Sequence, residues 1–185
     1  MWRRSCLTGL VVLASVGAVA VADCTRAVGI ELQRYPVGTT GSLVYRHPLG
    51  ERSVMWFGVG YNDADREDEG EFDDEQASGA GLSAGYRRYL ESDRIGWSFG
   101  GRLDLWDLEV DWIDQLGTPG QTRGTTDTLV LQPTGVAAHG WGLGRSAWVV
   151  EVSVALGAEI NTRTDGPDVG EGAILLGGVS LLKRF

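Results

Sequence analysis

Two cysteines, five prolines and two histidines are all that 185 residues contain of those types. Cys6 falls in the N-terminal apolar segment, so the rest of the chain keeps only Cys24 and has neither an internal disulfide nor a cysteine-based metal site. Beyond that segment no stretch approaches the roughly 18 consecutive apolar residues of a membrane-spanning helix. Basic charge is also scarce: 16 Lys and Arg against 25 Asp and Glu give a net charge of −9, which argues against a nucleic-acid partner.

What is present begins with "MWRRSCLTGLVVLASVGAVAVA". Arg3 and Arg4 precede an apolar run over 10–22, and Ala20-Val21-Ala22 supplies a small-residue cleavage site before Asp23. Residues 1–22 therefore read as a secretory signal peptide and 23–185 as one domain. An uncleaved anchor would need a longer apolar core, and a lipoprotein through Cys24 would need a small residue where Asp23 stands. Cleavage removes two cations and no acid, moving the charge to −11. Export without disulfides suits a bacterial envelope protein.

The 28 glycines are spread through the apolar segments instead of being gathered in linkers, a distribution that disfavours helices and suits curved strands. Period-two patterning recurs in eight segments: 27–34, 41–47, 53–62, 77–90, 95–106, 127–141, 147–161 and 171–185. The seventh is the clearest, with Trp148, Val150, Val152, Val154, Leu156 and Ile160 on one parity and Glu151, Ser153, Glu159 and Asn161 on the other. The sixth contains Pro133, where a bulge or register break is expected. Links after segments two, four and six are tight and those after three, five and seven are longer, the rhythm of an up-and-down barrel.

The two parities differ in more than polarity. The polar one carries four acids, Glu31, Asp104, Glu151 and Glu159, against four bases, Arg46, Arg87, Arg102 and Arg184, a balance suited to a sealed interior. The apolar one carries Tyr45, Tyr86, Trp97, Trp148 and Phe185 near the short-turn rim and Tyr61 near the other, as an interfacial girdle would. A soluble barrel with these aromatics in its core is the rival reading. The final strand runs to Phe185 with Leu175, Val179 and Leu181 on the same face.

On these features the chain resembles the small eight-stranded bacterial outer-membrane barrels of the OmpA/OmpX/OmpW type. The resemblance implies an all-β fold, an eight-stranded antiparallel up-and-down transmembrane β-barrel, lodged in the outer membrane among lipid and lipopolysaccharide. It also implies that Phe185 serves as an assembly signal for the outer-membrane assembly machinery. Lys183 departs from the class, which prefers an apolar or aromatic residue there.

The segment "NDADREDEGEFDDE" holds nine acids. Asp63, Asp65, Glu67 and Asp74 have part of a calcium-loop spacing, but Asp68 replaces the glycine and Asp74 the final glutamate, so loose binding of Ca²⁺ or Mg²⁺ is the most it predicts. A solvated acidic loop over 62–76 is the plainer reading. His47 and His139 fall near the short-turn rim and lack a partner motif, which speaks against a lipid A-modifying enzyme. No catalytic or cofactor-binding residue is assigned. The leading functional expectation is a non-enzymatic protein of envelope integrity or surface interaction. A channel for small solutes or hydrophobic compounds, a barrel enzyme, and strand addition along a protruding "DLEVDWI" edge stand as alternatives.

Overall fold

The computed structural model describes residues 26–66 and 71–185; residues 1–22, expected to be a signal peptide, and Glu67 lie outside them. Eight strands follow one another: β1 (Ala27–Tyr35), β2 (Gly38–Pro48), β3 (Ser53–Asp65), β4 (Asp74–Tyr89), β5 (Gly96–Asp114), β6 (Thr122–Gly142), β7 (Trp148–Asp165) and β8 (Gly172–Arg184). Each pairs antiparallel with its sequence neighbours, and β8 returns to β1 from Ala27↔Arg184 to Arg34↔Gly177, closing the barrel. Closure extends to the last residue, since Arg26 and Phe185 exchange backbone hydrogen bonds of 3.0 and 2.9 Å. Connections at 49–52, 90–95 and 143–147 form one rim, and those at 36–37, 66–73, 115–121 and 166–171 the other.

Alternation in the sequence becomes alternation across the wall, because successive strand side chains point to opposite faces. Over a belt that includes all eight strands the apolar parity points outward, with Ile30, Leu43, Val59, Leu82, Leu103, Leu131, Leu156 and Leu175 among its members. Glu31, Arg46, Arg87, Arg102, Asp104 and Glu151 point inward and are buried. Two tryptophans also turn inward. Trp56 and Trp106 fit because their neighbours across the ladder are Gly85 and Gly81, where a Cβ would run into the indole rings.

Above the belt the apolar parity changes sides. On β5 Leu103 and Leu105 face outward, whereas the next outward residues are Asp107, Glu109 and Asp111 and the inward ones Trp106, Leu108 and Val110. A core of Tyr35, Trp106, Leu108, Val110, Val130, Ile174 and Leu176 fills this upper part, with Phe72 stacked on Trp112 at 4.3 Å on top. The wall is consequently tall at β4–β7 and low at the β1–β2 turn.

Three expectations are corrected. The acidic segment is shorter as a loop than 62–76, because β3 runs on to Asp65 and β4 begins at Asp74. Most of the longer link after segment five is strand as well, leaving only 115–121 as the turn. The protruding β5 has no free edge: Val110 pairs with Ala77 on one side and Thr126 on the other, so strand addition there is excluded. Pro133 does not shift the register. Its pairing with Leu103 is intact, its ladder to β7 is interrupted, and the shift itself lies between Leu129 and Val130, opposite Thr162.

Candidate functional site

Two layers of polar side chains span the bore. In the lower one Glu151 of β7 accepts two hydrogen bonds from Arg46 of β2, at 2.7 and 2.8 Å, and a further one from Arg87 of β4. Glu31 of β1 meets Arg102 of β5 at 2.6 Å, four strands away on the facing wall. Arg102 continues to Asp104 at 2.5 Å and lies 4.7 Å from the Trp56 ring, so guanidinium, carboxylate and indole share one layer. Tyr89 and Ser180 supply hydroxyls to Arg46 and Glu31. Arg184 does not join: it is half-buried at the short-turn rim and donates to the Asp93 carbonyl.

The upper layer is centred on Arg66, which pairs with Glu159 from the opposite wall and lies 3.6 Å from Glu75. Gln132 links this group to the indole of Trp106, accepting from Nε1 and donating to Glu159, both at 2.9 Å. Glu75 is fully buried and accepts the backbone N–H groups of Glu71, Phe72 and Gly170. Composition alone leaves Arg66 and Glu75 in the acidic loop. Parity could have placed them: Arg66 continues the inward series Trp56, Gly58, Gly60, Asn62, Ala64, and Glu75 opens the one that runs to Arg87 and Tyr89.

Among the described residues Asp63, Asp65, Asp107, Glu109, Asp111, Asp127 and Asp165 face outward. Ladder register aligns Asp63, Ser78, Glu109, Asp127 and Asp165 in one row across β3–β7, and Asp65, Gln76, Asp111 and Thr125 in the next. Directly opposed like charges repel, so these rows concentrate negative potential just above the belt. Asp63 and Asp65 are exposed there, whereas Asp74 stands apart at the start of β4, opposite Ile113. Among the described residues no three His, Cys, Asp or Glu side chains converge as a metal site. His47 and His139 lie on the outward parity near the short-turn rim, His139 between Trp97 and Trp141.

Chemically, both layers fill the bore with paired charge: among the described residues Arg46, Arg66, Arg87 and Arg102 each meet a carboxylate on a different strand, and Asp104 meets Arg102 of its own strand. No protein-family profile matches the chain, and no curated protein sequence does. Among solved structures it is similar to the N-terminal β-barrel domain of Pseudomonas aeruginosa OprF, at 7% identity over 88% of this chain and 98% of that one, with a TM-score of 0.40. It is also similar to Ail, the attachment invasion locus protein of Yersinia pestis. Identity is 13% over 87% of this chain and 97% of Ail, with a TM-score of 0.45, and 14% with a TM-score of 0.44 for Ail in complex with the heparin analogue sucrose octasulfate.

Proposed function

We propose that the chain is a non-enzymatic outer-membrane barrel with a side-chain-filled bore, acting in envelope integrity or surface contact through its acidic outer face. One observation carries the reading: the apolar parity points outward in the belt and inward above it. A barrel wholly in water would keep its apolar face inside along its full length, and a contiguous apolar surface around all eight strands would drive association. Lipid around the belt and water above it account for the change of side on β5 between Leu105 and Trp106.

The bridges from Arg46 and Arg87 to Glu151, from Arg102 to Glu31 and from Arg66 to Glu159 support a barrel that does not conduct. Opening it would strand buried charges at several kcal/mol each. Surface contact then falls to the rows of Asp63, Glu109, Asp127 and Asp165, with Asp65 and Asp111 above. Set beside the phosphates of lipopolysaccharide, these carboxylates take Ca²⁺ or Mg²⁺ as a shared counter-ion, loosely and with strong dependence on salt. Phe185, exposed at the short-turn rim, is the residue offered to the assembly machinery.

The test is fractionation followed by gel electrophoresis in detergent with and without heating. A band in the outer-membrane fraction whose mobility changes on heating supports the reading, and a monomer freely soluble without detergent overturns it. Flotation of the purified protein with lipopolysaccharide vesicles, compared in Mg²⁺ and in EDTA, tests the bridging. Equal association in both would remove the cation from the account.

A further inference from the structure

The outward face differs at the two ends of the belt. At the long-loop end it turns acidic, through Asp107, Glu109 and Asp111 on β5. At the short-turn rim it stays apolar to the edge, because Leu49, Leu90, Leu143 and Phe185 continue the outward series of β2, β4, β6 and β8 and are all exposed. One exposed leucine is ordinary. A leucine at the head of each of the three tight turns, beside exposed Tyr86, Trp97, Trp141 and Trp148, fits a rim seated among headgroups and not one standing clear in water.

Positive charge collects on the same rim. Its described residues, 26, 49–52, 88–95, 143–147 and 183–185, hold seven bases, against Glu51, Glu91, Asp93 and the α-carboxylate of Phe185. Arg94 and Arg184 line the mouth and donate to backbone carbonyls, of Glu51 at 3.1 Å and Asp93 at 3.2 Å. Arg52, Arg88, Arg145 and Lys183 are exposed, and among the described residues none of them forms an ion pair. The Lys183 ammonium has the Trp148 ring at 5.9 Å. Arg88 stands between Tyr86 and Leu90 on the outward face of β4, and Lys183 between Leu181 and Phe185 on that of β8, each one residue from the end of its strand. Across the ladder from Arg88 is Ser53, whose hydroxyl lies 2.9 Å from that of Tyr86, and Arg52 precedes it in the chain. Two cations beside two hydroxyls are a donor set that a phosphate diester accepts.

Charge alone would admit any polyanion. Parity narrows the choice: bases interleaved with Tyr86, Leu90, Leu181 and Phe185 face what the belt faces, so the anion has to arrive on an apolar body. We propose that the short-turn rim is a binding surface for anionic phospholipid, which Arg52 and Arg88 hold by its phosphate at the β3–β4 corner and Lys183 holds at β8. This choice of lipid rests on the belt being lipid-facing. Lys183, at odds with the small-barrel pattern, then stands where a cation reaches the phosphates and an apolar residue would not.

Quenching of a single bimane label by brominated lipid tests the surface. The chain 23–185 with Cys24→Ser carries the label at Phe99→Cys, opposite Arg88 on β5, or at Tyr61→Cys, near the acidic edge of the belt. Phosphatidylcholine vesicles hold the same small fraction of either brominated phosphatidylglycerol or brominated phosphatidylcholine. At position 99 brominated phosphatidylglycerol is expected to quench about twofold more than brominated phosphatidylcholine, and at position 61 no more than it. Arg52→Gln with Arg88→Gln is expected to abolish the difference at position 99, as is about 1 M NaCl, which shortens the screening length to about 3 Å. Heat-sensitive migration of each variant shows that its barrel is intact. Should the double variant lose it, the salt arm decides alone, and a preference that salt leaves unchanged overturns the surface. Equal quenching by the two lipids at position 99, or a preference that the folded double variant retains, overturns it as well and leaves the belt in lipid. Absence of quenching by either lipid at both positions overturns the lipid-facing belt itself.

Discussion

Glu151→Gln is the substitution that bears hardest on the bore. Glu151 is 1% exposed and answers two guanidinium groups at once. Without its charge, the one amide oxygen left at this position serves Arg46 and Arg87 only as a neutral acceptor; Arg46 keeps besides it the hydroxyl of Tyr89, and Arg87 keeps Glu31 at 3.9 Å, a carboxylate already engaged by Arg102. One positive charge is then uncompensated inside the barrel. Breaking a buried pair from one side costs about 3–5 kcal/mol, which at a urea slope of about 2 kcal/mol per molar lowers the unfolding midpoint by about 2 M. The double variant Arg87→Met with Glu151→Gln restores neutrality and is expected to recover part of that loss, giving a coupling energy of opposite sign to the single losses. The assay is urea unfolding in lipid vesicles followed by tryptophan fluorescence, with the exposed Glu91→Gln as a control expected to fall within about 0.5 kcal/mol of the parent. A cost below about 1 kcal/mol for Glu151→Gln, or a double variant as unstable as the sum of its parts, would refute the account of the bore.

Other consequences concern the wall. Gly81→Ala drives a methyl group into the Trp106 ring, and an overpacked interior is expected to lose about 1–3 kcal/mol in the same assay; an unchanged midpoint would mean that Trp106 has room to move. Leu82→Arg, on the outward parity of β4 and 63% exposed, is expected to cost about 2–4 kcal/mol in vesicles if it lies near the bilayer midplane. The same change at a surface bathed in water would stay within about 0.5 kcal/mol.

The eight strands and their two faces were legible in the sequence because the belt obeys one rule, apolar out and polar in, on every strand. Where the rule reverses, legibility failed. From Trp106 to Val110 the apolar residues are inward and the acids outward, so the alternation that continues through "DLEVDWI" reads as a protruding edge, whereas β4 and β6 rise with it and pair it on both sides. Density of acid hid Arg66 and Glu75 in the same way, since composition outweighed their parity. The burial of Glu31, Arg46, Arg87, Arg102, Asp104, Glu151 and Glu159 follows from parity alone. Which of them meet does not, because Arg66–Glu159 and Glu31–Arg102 join facing walls whose stagger is set only when the barrel closes. Arg184 shares their parity but sits at the end of its strand, where the bore opens and its guanidinium reaches the 90–95 turn instead.

The outward belt is the central claim, and nitroxide scanning of β7 tests it most directly. With Cys24 replaced by Ser, spin labels placed singly at Val152, Val154, Leu156 and Ile160 in lipid vesicles are predicted to collide often with oxygen and rarely with a water-soluble nickel chelate. Collision with the nickel chelate exceeding that with oxygen at these four positions would place the belt in water and contradict the account.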